Sequence, residues 1–276
     1  MKLGLALVYL VLIGYAVFTI FPVYWLVITS VKDAFELSMV PPTLIPAEPV
    51  SQFYYELFAM RHFGELTTNS IVVGLTTAIV ATFVGAIFAY GLSKLRVLSR
   101  RPKNAILLWV LSLVMFPPII LAFPYFFMLS VINLTNTLAG LVIVYLTFTT
   151  PFAVWTMKGF YDEYPLDIEE AAMVDGASRS QVFLRITVPI LLPAMVTVLI
   201  FCFIFCWQEF LYALILTHDY RAQTVTVGVF GTISKWEISW GRIAAAGTVA
   251  SLPVIALFLI LRRSVVRRMT FGVVKG

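Results

Sequence analysis

The chain has 276 residues, 61% of them hydrophobic and only 12% charged, with a mean hydropathy of +0.97. Soluble domains carry about a quarter charged residues, so this is the composition of an integral membrane protein. The net charge of +5 does not mark a nucleic-acid binder, because the basic residues gather at the ends of apolar runs and no basic helix interleaves polar readers.

Six apolar runs, at residues 3–31, 70–92, 105–129, 138–157, 189–216 and 243–261, each reach about the 20 residues that cross a bilayer. They predict an all-α membrane protein, a single transmembrane domain over residues 1–276 with a cytoplasmic tail at 262–276. The first run is too long for the apolar region of a cleaved signal and lacks a clear small-residue cleavage site, so it reads as a retained span. The loop after it opens with the extended "VPPTLIPAEP" and continues into a short surface helix at "SQFYYELF".

Lys94, Arg96, Arg100, Arg101 and Lys103 stand between the second and third runs. Lys158, Arg179 and Arg185 stand between the fourth and fifth, and Arg262, Arg263, Arg267, Arg268 and Lys275 follow the sixth. The alternate loops hold only Lys32, Arg61, Arg221, Lys235 and Arg242. The bias of Lys and Arg toward cytoplasmic loops puts both termini in the cytoplasm. Prolines recur in or beside the runs, at Pro22, Pro117, Pro118, Pro124, Pro151, Pro189, Pro193 and Pro253. Each removes a backbone donor and tends to kink a helix, so kinked spans are expected. Cys202 and Cys206 share one helix face, a spacing that suits core packing rather than a bridge.

The most polar long stretch, "EEAAMVDGASRSQVFLRITVP", lies between the fourth and fifth runs. Pro165 suits a helix start, and Asp167, Glu169 and Glu170 favour the positive end of its dipole. Ala171 to Val174 extend it, and Gly176 can take the left-handed conformation that ends it. Ser178 and Gln181 have the spacing of a capping box, which starts a second helix carrying Val182, Phe183, Leu184 and Ile186 up to Pro189. The prediction is two short helices meeting at a glycine corner on the cytoplasmic side, with small Ala171 and Ala172 open to a close partner and Glu170 offering it a charge.

Glu170-Ala171-Ala172, then Gly176, then Ile186-Thr187-Val188-Pro189 resembles the signature loop of the membrane subunits of ABC importers, with Val188 as its one departure. "NSIVVGLTTAIVATFVGAIFAYGLSKL", "FPPIILAFPYFFML", "NLTNTLAGLVIVY", "PFAVWTMKGFYDEYP", "WQEFLYALIL" and the closing "MTFGVVKG" are similar to carbohydrate importers of the maltose-permease kind, in particular to their G-type membrane subunit. The resemblance implies a bacterial inner-membrane permease that forms half of a pathway for a di- or oligosaccharide such as maltose or trehalose. It implies four kinds of partner beyond the bilayer: a second permease, an ATPase dimer that binds ATP and Mg, an extracytoplasmic sugar-binding protein or lipoprotein, and the sugar. It further implies that Glu169, Glu170, Ala171, Ala172, Asp175, Gly176, Ala177 and Phe183 couple to the ATPase, and that Val273, Val274, Lys275 and Gly276 reach into its dimer. The uncharged outer loop with Thr224, Val225, Thr226, Gly228 and Gly231 would touch the binding protein. In the maltose system the partner permease supplies most sugar contacts.

Glu209, about 20 residues and ~30 Å beyond Pro189 at helical rise, is either a belt residue beside Trp207 or a pathway group, and Trp207 is itself either an interfacial anchor or a pathway group. Asn69, at the entry to the second run, is either a helix cap or a pathway group. No G-x-x-x-x-G-K-[ST] loop is present, so nucleotide hydrolysis by this chain is not expected. His62 and His218 are far apart, which leaves no metal site and no catalytic constellation. An importer permease for a non-sugar solute remains open. An ion-coupled transporter would place paired acids at midplane, but the second, third, fourth and sixth runs hold no Asp or Glu. A membrane-embedded enzyme would need polar groups converging at one depth.

Overall fold

The computed structural model describes residues 2–94, 100–233 and 238–269, and among these there are helices, turns and irregular segments but no strand. The helices are α1 Lys2–Thr29, α2 Gln52–Tyr55, α3 Phe63–Lys94, α4 Arg100–Ser112, α5 Pro118–Val131 and α6 Leu138–Glu163. They continue with α7 Leu166–Val174, α8 Arg179–Val182, α9 Val188–Gln208, α10 Leu211–Leu216, α11 Val225–Phe230 and α12 Trp240–Met269. Five apolar helical stretches are long enough to cross a membrane, and Ala105–Met115 with Pro118–Val131, bent by 89°, is a sixth when taken as one broken span. With no water to satisfy the backbone in hydrocarbon, helices are the form that such uniformly apolar runs must take.

The chain divides into two compact units, Met1–Glu65 with Val225–Ile255 and Leu66–Thr224 with Ala256–Gly276. In the first, α1 exposes apolar side chains from Leu5 to Phe21. The loop that follows is wound around two buried charges rather than simply extended. Lys32 is buried, donates from Nζ to the Thr43 carbonyl and lies 4.7 Å from the Trp25 ring centroid. Glu36, also buried, accepts from the Thr43 hydroxyl and from Ala47 N–H at 3.3 Å. The expected surface helix at 51–58 forms as α2, then widens into a π-helical turn Glu56–Met60. It is no mere surface element, because Phe53 and Leu57 are buried and Glu56 holds Arg242 Nε at 2.9 Å. A Cβ on Gly241 would stand 2.0 Å from the Phe53 ring, so only glycine fits where α12 begins.

In the second unit α6 packs along α9. Gly85 of α3 lies so close to α6 that a Cβ would be 2.6 Å from the Ala153 Cβ, the small-residue contact that lets membrane helices approach. Cys202 and Cys206 are free and buried on α9, as their spacing suggests. Two expected spans are broken here. The run 105–129 turns through Leu113–Met115 and Phe116 before Pro118 restarts it. The run 189–216 stops at Gln208, with Glu209 extended at φ −67° and ψ 130°, and restarts as α10.

Candidate functional site

The stretch between α6 and α9 folds as its residues dictate. Pro165 is the N-cap of α7 rather than its first helical residue, and Asp167 and Glu169 occupy the first turn. At the other end Ala177 N–H reaches back to the Ala172 carbonyl at 3.0 Å and Gly176 N–H to the Met173 carbonyl at 3.1 Å. This pair of bonds is the Schellman motif, and it places Gly176 at φ +89°, where a side chain would be strained although nothing lies within 4 Å of its would-be Cβ. Ser178 then caps α8: its Oγ accepts from Gln181 N–H at 3.3 Å, and Gln181 Oε1 accepts from Ser178 N–H at 2.8 Å. The second short helix does not stop before the next span. It widens into a π-helical turn Phe183–Thr187, in which Val188 N–H bonds the Phe183 carbonyl, and runs on into α9. Pro189 would clash with the carbonyl four residues back, Arg185, and the wide turn lies across that residue.

The adjacent glutamates part company. Glu169 was expected on the docking surface, but it is 3% exposed, and its carboxyl accepts from Tyr90 Oη at 3.2 Å and Thr187 Oγ1 at 2.9 Å. The Tyr90 ring also packs on Phe183 at 4.7 Å and Tyr161 at 5.6 Å between centroids. Glu169 thereby clamps α7 to α3 and to the turn below α9, and Phe183 supports the clamp while half-buried. Burial, and then the Glu169 charge, push the Tyr164 hydroxyl upward from its ordinary value. Glu170, Ala171, Val174, Asp175 and Gly176 are exposed, with Ala172 and Ala177 half-buried, so the residues N-terminal to the corner and the corner itself form the open face. A buried carboxyl survives only with its hydrogen bonds made, which is why the clamp needs Tyr90 and Thr187, residues far away in sequence or in another turn.

The remaining expectations fare differently. Glu209 is tied into the fold: it accepts from Tyr145 Oη at 2.8 Å and from the backbone N–H groups of Tyr212 at 2.8 Å and Ala213 at 3.1 Å. A carboxyl group at a helix start satisfies donors that lack intrahelical partners, so Glu209 organises the restart of the chain. Trp207 is 5% exposed and stacks on Phe203 at 5.6 Å. Asn69 is no cap, because α3 begins earlier at Phe63. Its Nδ2 donates to the Tyr220 and Gln223 carbonyls, both at 3.0 Å, and so pins an irregular loop.

The outer loop expected to touch a binding protein contains α11. Thr224, Val225 and Val227 are buried, so Thr224 and Val225 are not free to meet a partner, whereas Gly231 is exposed and Thr226 and Gly228 half-exposed. Arg61 donates to the Gly231 carbonyl at 2.7 Å. The tail residues Val273, Val274, Lys275 and Gly276 lie outside the described residues. Among the described residues no cluster of His, Cys, Asp and Glu could hold a metal.

A family of binding-protein-dependent transport system inner membrane components matches residues 81–271, a range that holds the whole corner segment. The inner membrane ABC transporter permease protein YcjP of Escherichia coli is 34% identical, covering 95% of this chain and 93% of its own. The trehalose transport system permease protein SugB of Mycobacterium tuberculosis is 36% identical over 96% of this chain and 94% of its own. The trehalose/maltose transport system permease protein MalG of Thermococcus litoralis is 29% identical over 95% and 93%. A bacterial ABC transporter involved in importing the acidic polysaccharide alginate shares the fold, with a TM-score of 0.76 at 20% identity over 94% of this chain and 95% of that one. The chain belongs to this family of inner membrane components. It is a multi-pass permease subunit of an ABC transporter, a membrane component and not the catalyst.

Proposed function

We propose that the chain is one of two permease subunits of a bacterial ABC importer for a di- or oligosaccharide of the trehalose or maltose type. It resides in the inner membrane with both termini cytoplasmic and forms half of the pathway. The corner segment 165–188 docks on an ATPase subunit that binds ATP and Mg, and passes its closure to α6 and α9. The observation that carries this reading is the exposed Glu170, Ala171 and Asp175 face ahead of a Gly176 corner, clamped from beneath by buried Glu169. A face held this rigidly suits the transmission of force, whereas a passive connector needs neither the clamp nor the caps. Glu170 offers the ATPase a charge, and the terminal Val273–Gly276 lies near its dimer. The exposed part of the outer loop, around Thr226, Gly228 and Gly231, meets an extracytoplasmic sugar-binding protein or lipoprotein. The sugar assignment rests on relatives named for trehalose and maltose at 36% and 29% identity over nearly the whole chain.

Affinity purification from native membranes tests the assembly. The expected result is a complex with a second permease and an ATPase, which takes up trehalose or maltose in vesicles only with ATP. A homodimer that transports without any ATPase would refute the proposal.

A further inference from the structure

The break between α4 and α5 opens on a cavity of about 420 Å³ whose lining includes Val114, Tyr125, Thr147, Phe148 and Tyr212. Two features of this cavity are unlike a hollow filled by lipid. The first is backbone chemistry. The Val114 carbonyl would bond residue 118 in an α-helix or residue 117 in a 3₁₀ turn, and both are prolines without an N–H. The break separates two apolar helical arms, Ala105–Met115 and Pro118–Val131, bent by 89°. Non-helical backbone within such an apolar run is tolerated where it is buried in protein or lines a wet cavity, and broken helices commonly border a transported solute.

The second feature is an aromatic cluster. Phe148 and buried Tyr212 stack at 6.1 Å with 17° between their planes, and Tyr125 tilts against Tyr212 at 5.7 Å. The Glu209 bond to Tyr212 N–H fixes the start of the helix that carries this ring. A sugar ring has an apolar C–H face that packs on aromatic carbon and a rim of hydroxyls that can donate to a carbonyl. A hydrocarbon chain offers only the former. The volume lies in the range of small-molecule sites, which pair apolar walls with a few polar groups.

We infer that this chain itself carries a sugar-stacking subsite, formed by Tyr125, Phe148 and Tyr212 beside the Val114 carbonyl at the α4–α5 break. Sugar recognition is then shared between the two permeases rather than left to the partner. The inference rests on the importer reading above. In proteoliposomes of the complete transporter at saturating binding protein, Phe148→Ala and Tyr125→Ala lower trehalose or maltose uptake at least tenfold. Binding-protein-stimulated ATP hydrolysis persists, and Phe148→Tyr retains uptake. In parallel, Thr147→Cys reacts with a water-soluble, membrane-impermeant thiol reagent, against a background in which Cys202 and Cys206 are buried, and the transported sugar slows that reaction severalfold. Absence of uptake of either sugar by the wild-type complex overturns the importer reading and the subsite with it. Normal uptake by both alanine variants, or a Thr147→Cys thiol that the reagent never reaches, overturns the subsite alone.

Discussion

The corner at 166–187 and the turn at 208–213 each interrupt an apolar helical path with a carboxyl group turned into the protein, but they are assembled differently. At the corner, the backbone is shaped by bonds that span five residues or fewer, Ala177 to Ala172 and Ser178 to Gln181, and Glu169 then fastens the finished element from beneath. At the turn, Glu209 makes the backbone shape itself, holding two N–H groups of α10 while a tyrosine 64 residues away in sequence holds it in place. A locally coded element can present a face and move as a body. A turn coded by a distant tyrosine is locked to the helices around it. The difference suits a joint in the first case and a fixed frame for a cavity in the second.

The largest stability effect should come from the fixed frame. Glu209→Leu strands two backbone donors and the Tyr145 hydroxyl, at about 1–3 kcal/mol for each group left unsatisfied. The midpoint of thermal unfolding in detergent should fall sharply, with much less change for Glu209→Gln, which still accepts hydrogen bonds. An unaltered midpoint for Glu209→Leu would erase the distinction between frame and joint.

The two glutamates of the corner provide the next comparison. Glu169→Leu removes the acceptor for Tyr90 and Thr187, at about 1–3 kcal/mol per stranded hydroxyl, and should lower the same midpoint. Glu170→Leu, at an exposed position, should lower it much less and weaken ATPase retention instead, since breaking a charged pair at an interface costs about 2–5 kcal/mol. Equal effects of the two on stability would mean that the clamp and the face are not separate.

Smaller again is Ser178→Ala, which removes one half of the capping box for about 1 kcal/mol. Faster amide exchange confined to 178–183 is the expected readout, and unchanged exchange there would count against the box. The least effect concerns Asp219, outside both regions. The Arg221 N–H and then the Asn136 side-chain amide hold its carboxyl below the ordinary value. Its contribution is complete above the unfolded value near 3.9 and is lost as pH falls through the lower folded value. Asp219→Asn should therefore lower stability slightly at neutral pH, converge with the wild type below the folded value, and so flatten the acid limb of the stability curve.

How much of this was legible in the sequence follows the same divide. Gly176, Ser178 and Gln181 announced the corner because helix ends are written in neighbouring residues. The apolar runs announced the spans because hydrocarbon demands them. Glu169 could not be told from Glu170 by spacing, since its burial depends on Tyr90 arriving from α3. The turn at Glu209 carries no proline or glycine, so nothing local marked it, and Asn69 resembled a cap only because α3 begins in polar residues ahead of the apolar run. The double proline at 117 and 118 did mark the broken span, but the aromatic side chains that meet there come from three separate helices.

The role of the corner as the coupling joint is tested most directly by Gly176→Val. A β-branched residue at φ +89° is strained, so the corner must open and redirect Ser178 onward. In reconstituted vesicles with the ATPase, the second permease and the sugar-loaded binding protein, sugar uptake and stimulated ATP hydrolysis are measured together, with ATPase retention scored by pull-down. The account predicts a variant that inserts and retains its partners but whose uptake per ATP hydrolysed falls at least tenfold. Wild-type uptake per ATP would contradict it, and would leave the segment a connector between two helices.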